Sequence, residues 1–257
     1  MMAAAAASAE APLTLTATTT GAAESVTIAR MTLRVASRID WGDGTYTEMT
    51  ANDEAPKLHT YAVAGTYRVA VFRVGDVTQV QLDSAKIGGL NTQQLRRSPI
   101  VYFWVTAITG SAIDSADMAG WTPTNWQLRS MPAGTYSIDS ADMAGWTPTY
   151  WRLYSMPAAG SSYTFGAAIM RNWTSAASIA CQDLALLVGV VDAILLDIYT
   201  GRAGYTNAAP VLNVGGSNAA PSGVYQDAAP PTTGLEYKYK LVVDPDAEGF
   251  NKWAITS

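Results

Sequence analysis

Two consecutive segments of the chain have nearly the same sequence. Residues 113–132 read IDSADMAGWTPTNWQLRSMP and residues 138–157 read IDSADMAGWTPTYWRLYSMP, so the second begins 25 residues after the first (138 − 113 = 25). One unit of this length cannot bury its own apolar side chains, so successive units are expected to stack and to share a core. The repeat therefore predicts a short solenoid with parallel strands, whose units lie at 113–137 and 138–162.

Three substitutions distinguish the two copies, and they lie two residues apart, which is the period of a β-strand. We therefore place them on the outward face of a strand, with Trp126 and Leu128, and likewise Trp151 and Leu153, on the buried face. Tyrosine and arginine are common in binding hot spots, so this face is the predicted site for a ligand or partner. A solvated face without a ligand is the alternative. The outward residues are Asn125, Gln127, Arg129, Tyr150, Arg152 and Tyr154.

Further copies of the unit are expected on both sides of the pair. Residues 82–89 contain LDSA followed by Ile87 and Gly89, which parallels the start of the repeat, and the strand of this copy is placed at 101–106. A later strand is placed at 170–174. Strands that stack from unit to unit run in the same direction, so they are expected to form one parallel ladder.

The C-terminal region changes to a helical period. Apolar residues from Leu184 to Ile198 follow helical spacing, and Gly201 is placed to end that helix. Residues 211–214 are predicted to form a strand. Residues 235–243 alternate like a strand, but the order of elements favours a helix, so both assignments stay open.

The N-terminal region contains short β-rich runs separated by turn signals. The Asp43-Gly44 pair is a strong tight-turn signal, because both residues tolerate positive φ. These features predict a small β-sandwich. The predicted strands are 13–18, 25–28, 31–39, 67–74 and 77–82.

Three motifs in this region resemble the pattern of the polycystic-kidney-disease (PKD) domain. They are IDWGDGT at 39–45, HTY at 59–61 and GTYRV at 65–69. The resemblance implies an immunoglobulin-like sandwich that serves as a spacer or docking module, usually without catalysis. One departure is that Gly42 follows Trp41 directly, where the family commonly has two residues before the glycine.

Three later segments resemble the closing repeats of leucine-rich-repeat-like proteins. They are ILLDIY at 194–199, LNVGGSNAAPSG at 212–223 and GFNKWAI at 249–255, although the 25-residue units use Trp and Met where leucine is usual. Modules of these two kinds occur in tailed-phage particles and in bacterial surface proteins.

The two resemblances together imply a β-rich chain of two domains. An N-terminal arm is placed at 1–11 and an Ig-like (PKD-like) β-sandwich at 12–80. A leucine-rich-repeat-like solenoid with parallel strands and a few helices is placed at 81–257.

The chain contains one histidine and one cysteine, His59 and Cys181. These two residues exclude an intrachain disulfide and the usual four-ligand Cys/His zinc site. His59 is also the only conventional general base near neutral pH, and its place in the HTY motif favours a structural hydrogen bond. We therefore expect a protein that is not an enzyme and that needs no metal or cofactor.

Several acidic residues offer alternatives for metal binding. Asp40 and Asp43 flank a turn, where Asp side chains ordinarily bond to the backbone rather than to calcium. Residues 244–249 imitate the start of an EF-hand loop, but the loop's last position lacks its acidic ligand, so a solvated acidic turn is favoured. The repeated Asp114 and Asp139 are expected to cap short helical turns, with a bridging metal as the alternative.

The formal net charge is -5, and the lysines and arginines are scattered singly, so nucleic acid is not an expected partner. The N-terminal MMAAAAASAEAP lacks the basic region of a signal peptide. The most apolar stretch, residues 184–196, is too short to span a bilayer. These features predict a soluble protein without membrane insertion.

The sequence thus predicts a non-enzymatic structural or adhesion protein of a tailed-phage virion, such as a capsid decoration, tail or fibre component. Its expected partners are other virion or surface proteins and further copies of itself, with host polysaccharide as another candidate ligand. The alternative is a bacterial cell-surface adhesin or glycan-binding module with an extracellular location. A third hypothesis is a glycan-acting enzyme that uses Asp114 or Asp139 with a second acid.

Overall fold

The computed structural model describes residues 11–157, 160–165, 168–226, 228–243 and 251–257. Within them the chain forms several β-sheets and few helices, which confirms the β-rich fold. The strands are β1 (Leu13–Thr19), β2 (Glu24–Ile28), β3 (Arg30–Leu33), β4 (Ser37–Asp40), β5 (Tyr46–Met49), β6 (Lys57–Tyr61), β7 (Gly65–Val71), β8 (Val77–Leu82), β9 (Ile87–Gly88), β10 (Tyr102–Thr106), β11 (Ala112–Asp114), β12 (Asn125–Arg129), β13 (Thr135–Asp139), β14 (Tyr150–Tyr154), β15 (Ser161–Thr164), β16 (Ser178–Gln182), β17 (Val211–Asn213) and β18 (Ala254–Thr256).

Two α-helices lie in the C-terminal part of the described chain, α1 (Val188–Gly201) and α2 (Gly234–Val242). Neither they nor any other helix in the described ranges is long and apolar enough to cross a membrane. The short 3₁₀ helices are Val74–Asp76, Thr92–Leu95, Ser115–Met118, Ser140–Met143, Met170–Asn172 and Arg202–Gly204.

The largest sheet has eight strands in the order β18-β17-β16-β14-β12-β10-β8-β3. Every neighbouring pair in it is parallel except β3 and β8, which are antiparallel. The predicted parallel pairing of the repeat strands is therefore confirmed. Residue pairs such as Trp126 with Trp151 are in register, so equivalent positions of the two copies are direct neighbours.

The predicted leucine-rich-repeat-like solenoid is wrong, because the repeat strands are not a separate body. They continue a mixed sheet that starts with β3 and β8 of the N-terminal region. The PKD-like sandwich is not confirmed either, since the N-terminal strands are distributed over three sheets. The other two of these are the five-stranded sheet β5-β4-β7-β1-β9 and the pair β2-β6.

One continuous apolar core joins all these sheets. In the repeats, alternate strand residues point inward and form rows of aromatic rings across neighbouring strands. The Trp126 ring stacks on Trp151 at a centroid distance of 5.2 Å, and Trp151 contacts Trp173 at 5.4 Å. Each large ring removes roughly 150–250 Å² of its surface from water, so these rows account for much of the stabilisation.

The predicted domain boundary between residues 80 and 81 stays a prediction, and strand β8 crosses it.

Each repeat turns back through a 3₁₀ helix that an aspartate caps. The Asp114 carboxylate accepts the N–H of Ala116 at 3.0 Å, and that of Asp139 accepts the N–H of Ala141 at 2.8 Å. The predicted capping role of these aspartates is confirmed. The Ser115 hydroxyl links the copies, because it accepts the N–H of Asp139 at 2.9 Å and donates to Asp142 at 2.6 Å.

The earlier copy of the unit lies at 90–95, and its placement at 82–89 is wrong. Asn91 caps the 3₁₀ helix Thr92–Leu95 through the N–H of Gln93, as Asp114 does in the next copy. Thr92 takes the place of Ser115, since its hydroxyl accepts the N–H of Asp114. Asn91 and Thr92 make the hydrogen bonds that Asp114 and Ser115 make in the next copy. A comparison of residue identities therefore does not detect this copy.

The first residue after each repeat strand has a left-handed backbone. Ser130 and Ser155 have φ values of 50° and 53°, and Ala107 and Asp183 occupy the same position after β10 and β16. The N–H of Ser130 bonds to the carbonyl of Tyr154 in the next strand, which fixes the turn. All four residues carry a Cβ, which disfavours this conformation, although Asp183 tolerates it better than alanine or serine do.

The C-terminal elements differ from two predictions. The predicted strand at 170–174 is a 3₁₀ helix, Met170–Asn172. The helix α1 begins at Val188 rather than Leu184, and Gly201 is its last residue. Residues 235–243 form most of α2, which a reciprocal capping box between Thr233 and Glu236 initiates, whereas 211–214 is a strand as predicted.

Candidate binding face of the large sheet

The six residues predicted as the outward face lie together on one side of the large sheet. Strands β12 and β14 pair so that Asn125 faces Tyr150, and the other two predicted pairs follow in register. Their neighbours on the same strands, such as Trp126 and Leu153, are buried in the core. The period-2 argument therefore found the correct face of each strand.

The face extends over β10, which confirms the strand predicted at 101–106, and over β8 and β3. The parallel register places Trp104 of β10 beside Gln127, and Arg30 of β3 pairs with Gln81 of β8 on the same side. Trp104 was missed as a face residue because its copy is more divergent, although the alternation within YFWVT indicates it, and Arg30 lies outside the repeats. We call this surface the polar face. Its residues are Arg30, Gln79, Gln81, Tyr102, Trp104, Thr106, Asn125, Gln127, Arg129, Tyr150, Arg152, Tyr154, Ser178, Gln182 and Asn213.

Three arginines on the polar face lie over aromatic rings. The guanidinium carbon of Arg129 is 4.9 Å from the centre of the Trp104 ring, and that of Arg152 is 5.0 Å from Tyr150. The guanidinium carbon of Arg30 is likewise 5.0 Å from the centre of the Tyr102 ring. Cation–π contacts of this kind hold a planar guanidinium in one orientation.

Hydrogen bonds fix Arg129 further. Its Nε donates to Thr106 Oγ1 at 3.1 Å, and one terminal nitrogen donates to the Tyr154 hydroxyl at 2.9 Å. Arg152 Nε donates to Ser178 Oγ at 3.3 Å. Each arginine therefore spans from its own strand to a neighbouring strand, and the two are held in defined positions.

Amide side chains lie beside the arginines and beyond them on the same face. Gln127 Nε2 donates to Asn125 at 2.7 Å, and Asn213 Nδ2 donates to Gln182 at 2.6 Å. Gln127 is only 3% exposed, and its carbonyl oxygen has no hydrogen-bond donor among the described residues. The centre of the polar face thus contains a buried acceptor with unused capacity.

The arginines of the polar face have no ion-pair partner on this surface. Among the residues that the structure describes, no carboxylate lies within 4.0 Å of Arg30, Arg129 or Arg152. Three acids border the face, where each accepts a hydrogen bond from a glutamine: Glu54 from Gln79, Asp83 from Gln81 and Asp183 from Gln182. The guanidinium groups are therefore not engaged by a carboxylate of the described chain.

The other acidic residues that the structure describes are not grouped as a metal centre. No group of three or more His, Cys, Asp or Glu side chains suited to a metal ion occurs in the described ranges. Asp114 and Asp117 line a groove of about 260 Å³ with Asn91 and Gln93, but Asp114 is engaged in capping and Asp117 accepts a hydrogen bond from Thr92. Residues 244–249, with the EF-hand-like sequence, lie outside the described residues.

His59 has the structural role that the sequence indicated. Its Nε2 lies 2.7 Å from Asp43 Oδ2, and its ring stacks on Trp41 at 4.9 Å. Burial acts to raise the pKa of Asp43, but hydrogen bonds from Thr45 and His59 outweigh it and lower the pKa below its usual value. The tight packing of His59, Trp41 and Tyr61 accounts for their presence in the motifs of this region.

Cys181 is fully buried in the core row of β16, and burial raises the pKa of its thiol. A buried, protonated thiol is a poor nucleophile, so Cys181 is a packing residue.

Comparison with protein-family models, curated proteins and solved structures gives no match for this chain. The resemblances to the PKD domain and to leucine-rich-repeat-like proteins are therefore not supported by a family match. The function must be inferred from the geometry of the polar face.

Proposed function

We propose that this chain is a non-enzymatic structural or adhesion protein that presents the polar face to a ligand or partner. The observation that supports this most directly is the set of arginines on β3, β12 and β14 that lie over aromatic rings. Rigid, ordered arginine and tyrosine side chains lose little conformational entropy on binding, which is why they are common in binding hot spots.

The regular spacing of the outward side chains also supports binding rather than catalysis. A parallel sheet presents its outward side chains at regular spacings of about 4.8 Å between strands, so it suits an extended ligand or a flat partner. The acids proposed for a glycan-acting enzyme, Asp114 and Asp139, are in the sheet β11-β13-β15 and cap 3₁₀ helices. Neither belongs to the polar face.

The test is a binding experiment with immobilised neutral and acidic polysaccharides. We expect the wild type to be retained on at least one of them, and a Tyr150→Ser/Tyr154→Ser variant to lose that retention. Tyr46→Ser is the matched control, because Tyr46 is 62% exposed on β5, away from the polar face. Retention that is insensitive to the double substitution would overturn the proposal, as would the release of shortened saccharides into solution.

The location is a separate part of the proposal. We place the protein on a tailed-phage virion, as a decoration, tail or fibre component that assembles with other virion proteins and with copies of itself. The repeated strands and the scarcity of catalytic side chains support this placement, and a bacterial surface adhesin is the alternative. Mass spectrometry of purified particles tests it, since a virion component is present in many copies and an adhesin is absent.

A further inference from the structure

The polar face carries its positive charges on three strands. Arg30 of β3 and Arg152 of β14 share one row of paired residues, with one residue from each intervening strand between them. Arg129 of β12 lies in the neighbouring row, two residues further along its strand. Three strand spacings separate β3 from β12, a distance of about 14 Å, and β14 lies one spacing further. A small ligand with one charge does not span these positions, whereas a polymer with repeated negative charges does.

Hydrogen-bonding amides and aromatic rings alternate with these charges. Gln79 and Gln81 lie on β8, between Arg30 and the strand that carries Trp104. Gln182 and Asn213 continue the face beyond Arg152. Amides both donate and accept, which is the complement of a hydroxyl group. The ligand chemistry that fits is therefore rich in hydroxyl groups as well as negatively charged.

We propose that the polar face binds an acidic polysaccharide laid across the strands, with its acid groups on Arg30, Arg129 and Arg152 and its hydroxyl groups on the intervening amides. This inference rests on the proposed function and names its ligand class. A carboxylate matches the planar fork of a guanidinium in a bidentate pair, and the ring beneath each arginine orients that fork in advance.

Nucleic acid fits the same surface less well. One side of the Trp104, Tyr102 and Tyr150 rings is covered by a guanidinium, which reduces the area on which bases stack. A polysaccharide with spaced acid groups needs only a few arginines.

The experiment measures binding of the full chain to four soluble probes. Polygalacturonate carries carboxylates, dextran sulfate carries sulfates, dextran is neutral, and a thymidine oligonucleotide represents nucleic acid. The variants are Arg129→Gln/Arg152→Gln, the charge-preserving Arg152→Lys, and the control Arg97→Gln, which removes an exposed arginine outside the polar face. Thermal unfolding of each variant checks that it is folded.

We expect polygalacturonate or dextran sulfate to bind and dextran to bind at least about tenfold more weakly, with affinity falling as salt is added. The double Arg→Gln variant should lose about tenfold or more in affinity for the acidic probe, Arg152→Lys should lose less, and Arg97→Gln should match the wild type. Whichever acidic probe binds more tightly identifies the acid group.

Three results would overturn this inference. The first is that dextran binds as tightly as the acidic probes, and that this binding is lost in Tyr150→Ser/Tyr154→Ser but kept in Arg129→Gln/Arg152→Gln. It would reject the acidic ligand and leave the proposed function intact. Tighter binding of the oligonucleotide would reject a polysaccharide. Absence of binding to both acidic probes would reject an acidic polysaccharide as the ligand. The proposed function would still be tested by the experiment with immobilised neutral and acidic polysaccharides.

Discussion

Trp126 and Trp151 occupy the same position in consecutive repeats, and their rings stack with a centroid distance of 5.2 Å and an angle of 10° between their planes. This pair is the centre of an aromatic row that also includes Phe103 on one side and Trp173 on the other. The row connects four successive turns of the chain, so it packs the repeats against one another through their apolar faces.

Trp126→Ala should lower the free energy of unfolding by about 3–5 kcal/mol, because it leaves a cavity between two rings. Trp126→Phe is the matched control and should cost less than about 1.5 kcal/mol. Phe103 already occupies the equivalent position on β10, and the Trp126 indole N–H has no acceptor among the described residues. Chemical denaturation measures the free energy of unfolding of both variants. An equal decrease in the two would contradict the packing argument.

Ser115→Ala should lower the free energy of unfolding by about 1–3 kcal/mol, because it removes the acceptor for the Asp139 N–H and the donor to Asp142. Ser140 occupies the same position in the next copy, but its hydroxyl has no partner in the described part of the chain. Ser140→Ala should therefore change stability little. Denaturation curves that show the same loss for both variants would rule out the bridging role of Ser115.

Ser155→Gly should raise the free energy of unfolding by about 0.5 kcal/mol. Glycine relieves the left-handed backbone at φ 53°, and this gain exceeds the entropy that glycine loses on folding. Ser162→Gly in strand β15 is the control, and it should be destabilising by roughly 0.5–1 kcal/mol, because the strand backbone there is ordinary. Thermal unfolding of both variants checks the opposite signs.

Asp43→Asn should destabilise the protein by about 1 kcal/mol at pH 7 through loss of its charged contact with His59. The pKa of Asp43 is lowered in the folded state, so its contribution is complete above the ordinary value of 3.8 and disappears as the pH falls through the folded value. The difference between the variant and the wild type should therefore shrink below pH 3.8. Chemical unfolding of the variant and the wild type, measured as a function of pH, checks this, and a difference that stays constant below pH 3.8 would contradict it.

The sequence predicted the local features whose cause is local. Alternation in NWQLR and YWRLY gave the buried and outward faces, and the offset between the copies gave the parallel register. The repeated Asp114 and Asp139 gave the caps of the 3₁₀ helices. Each of these follows from strand geometry or from a hydrogen bond within a few residues.

The features that were missed depend on distant contacts. The antiparallel pairing of β3 with β8 joins residues far apart in the sequence, and nothing in either strand specifies it. Residues 184–187 have helical spacing but are not helical, because the N–H groups of Leu184 and Leu186 bond to the Asn218 side chain. Tertiary hydrogen bonds override the local pattern there.

The polar face was predicted only where the repeat displayed it. Gln127 and Arg152 were found because the two copies differ at that position, whereas Trp104 was not found because β10 belongs to a more divergent copy. The pairing of arginines with rings depends on side-chain rotamers across strands, which no single-strand pattern contains.

The hydrogen bonds of the Ser115 hydroxyl also indicate how further repeat units can be added to the large sheet. Its partners, Asp139 and Asp142, belong to the following copy, and both copies contain the same serine and aspartates. A duplicated unit therefore carries the hydroxyl and carboxylate groups of this bridge, and each added unit would widen the large sheet by one strand, or about 4.8 Å. The width of that sheet would then be set by the number of units in the sequence.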